Sequence, residues 1–148
     1  MSETGKSSKK QSNILTNASK TLLKRPVIAH ISTVTPENKP HVTPVWIDVE
    51  GDYIVINTAE GRRKSNNLRH NSAVAISVTA PDDPYNAVVL QGAVVEITPE
   101  GADAHIDSLA QKYLGKSTYP FRQPGEKRVR LIIQPEHIAT QPQDETPG

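Results

Sequence analysis

Between Val27 and Asn57 the chain runs through three β-branched segments joined by turns too short to hold a helix. That order restricts the fold more than any other feature. Val27–Val34 alternates and reads as a strand. Thr35-Pro36-Glu37-Asn38-Lys39 is a turn, with proline at its favoured second position. His41–Val49 returns as the second strand of a hairpin, and Glu50-Gly51-Asp52 leads into the strand Tyr53–Asn57. Hairpins in succession make a mostly antiparallel sheet, and the lack of sustained βαβ alternation disfavours a doubly wound fold. Pro44 cannot donate to a ladder, so its strand is expected at an edge or a bulge.

Further strands are expected at Ala73–Thr79, Ala87–Ile97 and Arg128–Ile133. Helices are expected at Asn17–Leu23, at Gly61–His70 and from Pro99 to Leu114, the last with Thr98 as N-cap and Gly115 as stop. The reading is a mainly β (α+β) domain: a six-stranded antiparallel split β-barrel with two or three packed helices. At 148 residues the chain is one domain. Residues 1–12 and 140–148 are polar and expected to be disordered tails, leaving a body of 13–139. A body this small has a thin core, which dimerisation would thicken.

Composition excludes several functions. There is no cysteine, hence no disulfide, Fe–S cluster, thiolate zinc site or thiol chemistry. Seventeen basic against 16 acidic residues lack the basic excess of a nucleic-acid coat. No apolar run is long enough to span a membrane. The start of the chain has no secretory pattern, and a cytoplasmic location is expected. None of the five histidines has a metal-ligand spacing, so no metal is expected. His105 lies near Ser108 and Asp103 but on an amphipathic helix without a nucleophile elbow, which favours a hydrogen-bonded structural role.

The segment Asn57-Thr58-Ala59-Glu60-Gly61-Arg62-Arg63-Lys64-Ser65-Asn66-Asn67-Leu68 points to chemistry. Three cations follow a glycine where a strand stops and a helix can start. Unpaired N–H groups at a helix N-terminus together with Arg and Lys suit a phosphate. A solvated helix face is the competing reading, and local sequence does not separate them. Trp46 is either a core residue or an aromatic wall for a planar ligand. Gln91-Gly92 is either a bulge or a point where a ligand or second subunit approaches. Tyr119–Gly125 is either a packed connection or a lid.

Lys39-Pro40-His41-Val42-Thr43-Pro44-Val45-Trp46 and the Asn57–Leu68 segment together resemble the flavin/deazaflavin oxidoreductase superfamily. This is the split-barrel group that includes pyridoxamine 5′-phosphate oxidase. Pro81–Tyr85, Val94–Thr98 and Tyr119–Glu126 are similar to the F420-dependent B group, of the mycobacterial biliverdin reductase type. The resemblance covers roughly 18–138. It implies a homodimer with cofactor at the subunit interface, and a phosphate held by Arg63 and Lys64 with Arg62. It places Thr58 and Asn67 beside that phosphate, and Thr43, Pro44, Val45 and Trp46 along the ring system. Gln91 and Gly92 fall where a neighbouring subunit completes such sites.

The implied activity is hydride transfer from reduced F420 to a conjugated small-molecule acceptor. FMN is the alternative cofactor, and a non-catalytic F420, FMN or haem carrier the alternative role. Lys39, Arg69, Lys127 and Arg128 are candidates for the polyglutamate tail of F420. No side chain is singled out as catalytic. The polar ending after Ile138 lacks the Arg- and His-bearing substrate segment of the oxidases, which argues against vitamin B6 oxidation.

Overall fold

The computed structural model describes residues 14–145. The tail expected over 1–12, and residues 146–148, lie outside them. The element order is α1 (Asn17–Lys24), β1 (Ile28–Val34), β2 (Pro40–Trp46), β3 (Asp48–Glu50), β4 (Tyr53–Ala59), α2 (Arg63–His70), β5 (Ala73–Ala80), β6 (Asp83–Thr98), α3 (Ala102–Leu114) and β7 (Arg128–Thr140). The strands form one seven-stranded sheet in the order β2-β1-β5-β6-β7-β4-β3, with every pairing antiparallel. It curls into a half-barrel, the split-barrel class expected, with one strand more than the six anticipated.

The extra strand comes from a break at Ile47. His41–Val49 was expected to be continuous. Instead β2 pairs with β1 at one edge of the sheet and β3 pairs with β4 at the other. Ile47 is fully buried between them, and its backbone is bonded by side chains from α3. Tyr113 Oη accepts from Ile47 N at 2.9 Å and donates to Val27 O at 2.6 Å. Lys112 Nζ donates to Ile47 O at 2.6 Å and to Leu23 O at 2.8 Å. Buried backbone polar groups must find such partners when they leave a ladder. Burial pulls the Lys112 ammonium down to about 8 against the opposing charge of Asp48. It raises the Tyr113 phenol to about 12, so at neutral pH that hydroxyl keeps the proton it donates.

The core lies inside the curl. On β5 the alternation is strict, with Val74, Ile76, Val78 and Ala80 inward. Ala29 and Ile31 of β1, Ile54 and Ile56 of β4, and Val129, Leu131 and Ile133 of β7 join them. Helix α3 packs on β4 and β7, burying Ala102, Ile106, Leu109 and Ala110. Its apolar spacing and its stop at Gly115 are as expected. Its start is not: Thr98 Oγ1 accepts from Glu100 N at 3.1 Å, and Gly101 in a left-handed conformation is the N-cap.

Pro44 does sit on an edge strand, opposite His30. The long strands extend beyond expectation because β6 and β7 pair through several register shifts, one of them at Gln91/Gly92. Residues beyond 139 also bond to α1 and the residue that caps it. Asp144 accepts from Asn17 N and Ala18 N at 3.1 and 2.7 Å, and Gln141 Oε1 accepts from Thr16 N at 3.0 Å. The end of the chain thus caps α1 together with Thr16, the N-cap residue.

Gly92 sits against β7: a Cβ there would lie 2.4 Å from the carbonyl oxygen of Gln134. Backbone cannot yield to it cheaply. Gly92→Ala is expected to lower stability by about 1–3 kcal/mol in urea denaturation; an unchanged midpoint would refute the close approach.

Candidate cofactor site

A cleft of about 340 Å³ opens where β2, β4, α2, α3 and β7 converge. The carboxyl end of β4 delivers Thr58 to it, the turn after β4 delivers Arg62, and the first turn of α2 delivers Lys64. Gly61 makes that turn with φ of +83°, a conformation that L side chains rarely adopt. Helix α2 then starts at Arg63 with no side-chain cap and no acidic residue in its first turn. Its first N–H groups are left to carry positive potential, as at anion-binding helix starts.

Three cations line the cleft, Arg62, Lys64 and Arg128, and no carboxylate does. Glu126 ion-pairs with two of them, Arg62 at 3.3 Å and Arg128 at 3.2 Å. Both of these contacts are loose. Arg128 Nη1 and Glu126 Oε1 satisfy no hydrogen-bond geometry although buried. Lys64 has no protein partner among the described residues. Burial, then the charges of Arg62 and Arg128, push its ammonium below the usual lysine value. A bound anion would relieve this strain in charge, since it favours the protonated lysine.

Aromatic side chains, Trp46, Tyr119 and Phe121, also line the cleft. Trp46 stacks flat on Tyr113, with centroids 4.9 Å apart and planes 9° apart. Tyr119 meets Trp46 edge-on at 5.9 Å and Phe121 at 5.7 Å. The Arg128 guanidinium lies 5.2 Å from the centre of the Tyr119 ring, within cation–π range. Ile28, Ile106 and Leu109 complete the lining. The cleft thus offers cations to an anionic group and aromatic and aliphatic surface to a planar one.

Of the residues singled out from sequence, Pro44, Val45, Trp46, Thr58, Arg62 and Lys64 meet in this cleft. The others do not line it. Arg63 is exposed, without a protein partner among the described residues. Asn67 is buried and donates to Thr33 Oγ1 at 3.0 Å, tying α2 to β1. Thr43 has a buried, unbonded hydroxyl. Gln91 and Gly92 line a separate depression with Ser32, Val34 and Glu136. Arg69 is taken by Glu60, so the cation on the cleft is Arg128 alone among the four candidates for a tail.

Asn57, Ile106 and Leu109 were not anticipated. Asn57 carried a usable signal, since it interrupts an apolar β run; the other two come from a distant helix. His105 is bonded on both ring nitrogens, to Asn57 and Asp48, the structural role expected of it. Asp48, Glu50 and His105 bring ligating atoms within 4.8 Å of one another. Glu50 is paired there with Arg130 at 2.5 Å.

Residues 15–142 match the family described as pyridoxamine 5′-phosphate oxidase. The chain belongs to that family. Its fold is that of the split-barrel flavin/deazaflavin oxidoreductases. Among solved structures, it is similar to an F420 reductase, with 30% identity and a TM-score of 0.71, over 81% of this chain and 94% of that one. It shares its fold with HupZ of Group A Streptococcus, at 22% identity and a TM-score of 0.62, over 84% and 92% of the two chains. A conserved hypothetical protein of Mycobacterium tuberculosis shares it too, at 20% identity and a TM-score of 0.63, over 91% and 94%. No curated protein sequence matches. No helix among the described residues is long and apolar enough to cross a membrane.

The lowered Lys64 value has a measurable consequence. An anion binds best while Lys64 is charged, so phosphate-ester affinity should fall as pH rises through that depressed value, below the ordinary 10.5. Lys64→Arg should move the fall to higher pH, because guanidinium stays protonated. FMN titrations from neutral to alkaline pH test this; identical profiles for the two proteins would contradict it.

Proposed function

We propose that the protein is an F420-dependent reductase that passes a hydride to a conjugated small-molecule acceptor. The observation that carries the reading is the cleft itself: three cations without a lining carboxylate, beside an uncapped helix start, together with the aromatic side chains of Trp46, Tyr119 and Phe121. Similarity to an F420 reductase over 94% of that chain supports F420 in particular. The residues fit the group. Lys64, Arg62 and Arg128 would hold the phosphate, with the first N–H groups of α2. Pro44, Val45 and Trp46 would border the ring system.

F420, when bound, supplies a hydride from C5 of its reduced ring. The chain's part is orientation and electrostatics. Its cations fix the phosphate end, and its aromatic and aliphatic lining keeps water from the ring end. No side chain is assigned as proton donor. FMN is the second reading, favoured by the family match, because its phosphate calls on the same cations. Binding without turnover, as a carrier, is what a multiple-turnover assay with several acceptors would reveal.

A homodimer is part of the proposal. Ile28, on the cleft, and Val42, on the β2 edge, are 47% and 62% exposed, and a second copy would cover them. Gln91 and Gly92 of that copy would then complete the site. Sedimentation of the purified protein tests the stoichiometry.

Parallel fluorescence titration of apo-protein with F420 and FMN tests the cofactor. Tighter F420 binding is expected, with Lys64→Ala weakening it by roughly 1.5–3 kcal/mol, the worth of a charged hydrogen bond. Binding of neither ligand, or unchanged affinity in folded Lys64→Ala, would overturn the reading.

A further inference from the structure

We propose that Asp48, His105 and Asn57 form a positioning relay that aims the Arg128 guanidinium at the cleft, so that His105, which does not line the cleft, sets affinity for a phosphate ester through Arg128. The inference rests on the phosphate-site reading above and deepens it.

The donors and acceptors allow one arrangement. Asn57 Nδ2 donates to Ala102 O at 2.8 Å and lies 3.1 Å from His105 Nδ1. An amide nitrogen has two hydrogens. With the other hydrogen on Ala102 O, the contact is made by Asn57 donating and Nδ1 accepting. The imidazole proton is therefore on Nε2, which faces Asp48 Oδ2 at 3.3 Å. Burial raises the Asp48 carboxyl, but its bonds to His105 and to Val49 N, with the Lys112 charge, outweigh this and hold it below its usual value. It is an acceptor at neutral pH.

This fixes the Asn57 amide. Its Oδ1 accepts from Arg128 Nε at 2.9 Å. Turning the amide over would set NH₂ against N–H and would break the bonds to α3 as well. Backbone pairing alone places the two residues: Arg128 is opposite Ala59 in the β4–β7 ladder, so Asn57 is its diagonal neighbour on the same face.

The guanidinium is then held on three sides. Nε is bonded to Asn57, Nη1 is paired with Glu126, and the Tyr119 ring lies over the plane. Nη2 has no protein partner among the described residues, and Arg128 lines the cleft. Four elements, β3, α3, β4 and β7, thus contribute to the aim of one cation. A buried polar chain is costly unless each member is satisfied. At its Arg128 end this one leaves guanidinium N–H groups without a hydrogen bond, Nη1 among them, beside the anion site.

The test compares FMN with riboflavin, which differ in phosphate alone, and F420 with its deazariboflavin core, which lacks the phosphate and the polyglutamate tail beyond it. His105→Leu should weaken the phosphorylated ligand about tenfold, the loss of one charged hydrogen bond, and leave the other within about twofold. His105→Asn restores an acceptor near the Nδ1 position and should recover most of the loss. In Arg128→Met, adding His105→Leu should cost nothing more. If His105→Leu does not fold, Asn57→Leu removes the Oδ1 acceptor of Arg128 Nε directly and carries the same expectation.

Equal loss for both members of a pair, or full additivity with Arg128→Met, overturns the relay. Selective loss in Lys64→Ala beside none in His105→Leu also overturns it while leaving the site intact. If the wild type shows no phosphate preference at all, the site reading and the relay fall together.

Discussion

The curl of the sheet depends on what happens at Ile47. A seven-stranded open sheet has two edges, and here consecutive strands occupy both of them. The chain crosses from one edge to the other through one buried residue whose N–H and C=O leave the ladder. Tyr113 and Lys112 of α3 take up those groups. Without them the crossing would bury unsatisfied backbone, a cost of about 1–3 kcal/mol for each group. The clamp therefore fixes the position of α3 and the closure of the half-barrel together.

The cleft follows from that closure. Trp46 precedes the crossing and stacks on Tyr113 of the clamp. Asp48 follows it and bonds His105, two turns before Tyr113 on the same helix. The aromatic wall and the inner end of the polar relay thus grow from the two sides of one seam. The cations come from other elements: Arg62 from the β4–α2 turn, Lys64 from the first turn of α2 and Arg128 from the first residue of β7. Burial, then the charges of Arg62 and Arg128, act against the Lys64 ammonium, and a bound anion would favour it. Site strain of this sign is common where ligands dock.

Much of this was legible in sequence where neighbours along the chain do the work. The β5 alternation, the spacing on α3, the Gly115 stop and the edge position of Pro44 are local patterns. So is the run Arg62-Arg63-Lys64 behind Gly61, although helical geometry sends Arg63 outward and only its two neighbours to the cleft. What was not legible depends on partners far along the chain. The break at Ile47 is made by Tyr113. The second half of β7 was left outside the final strand, which was expected to end at Ile133, because Gln134-Pro135-Glu136-His137 has no strand pattern; irregular pairing with β6 makes it one. Asn67, beside the phosphate by resemblance, is used to anchor α2 on Thr33. Arg128 could be noted as a cation, but its aim is set by Asn57 and His105, which no spacing connects to it.

The measurement that bears most directly on the central claim is a crystal structure of the protein with its flavin-type cofactor bound. The account predicts the phosphate within ion-pair distance, about 4 Å, of Lys64 Nζ and of the Arg128 guanidinium, with the ring system alongside Pro44–Trp46. A cofactor whose phosphate lies away from both cations, or whose ring lies outside the cleft, would contradict it.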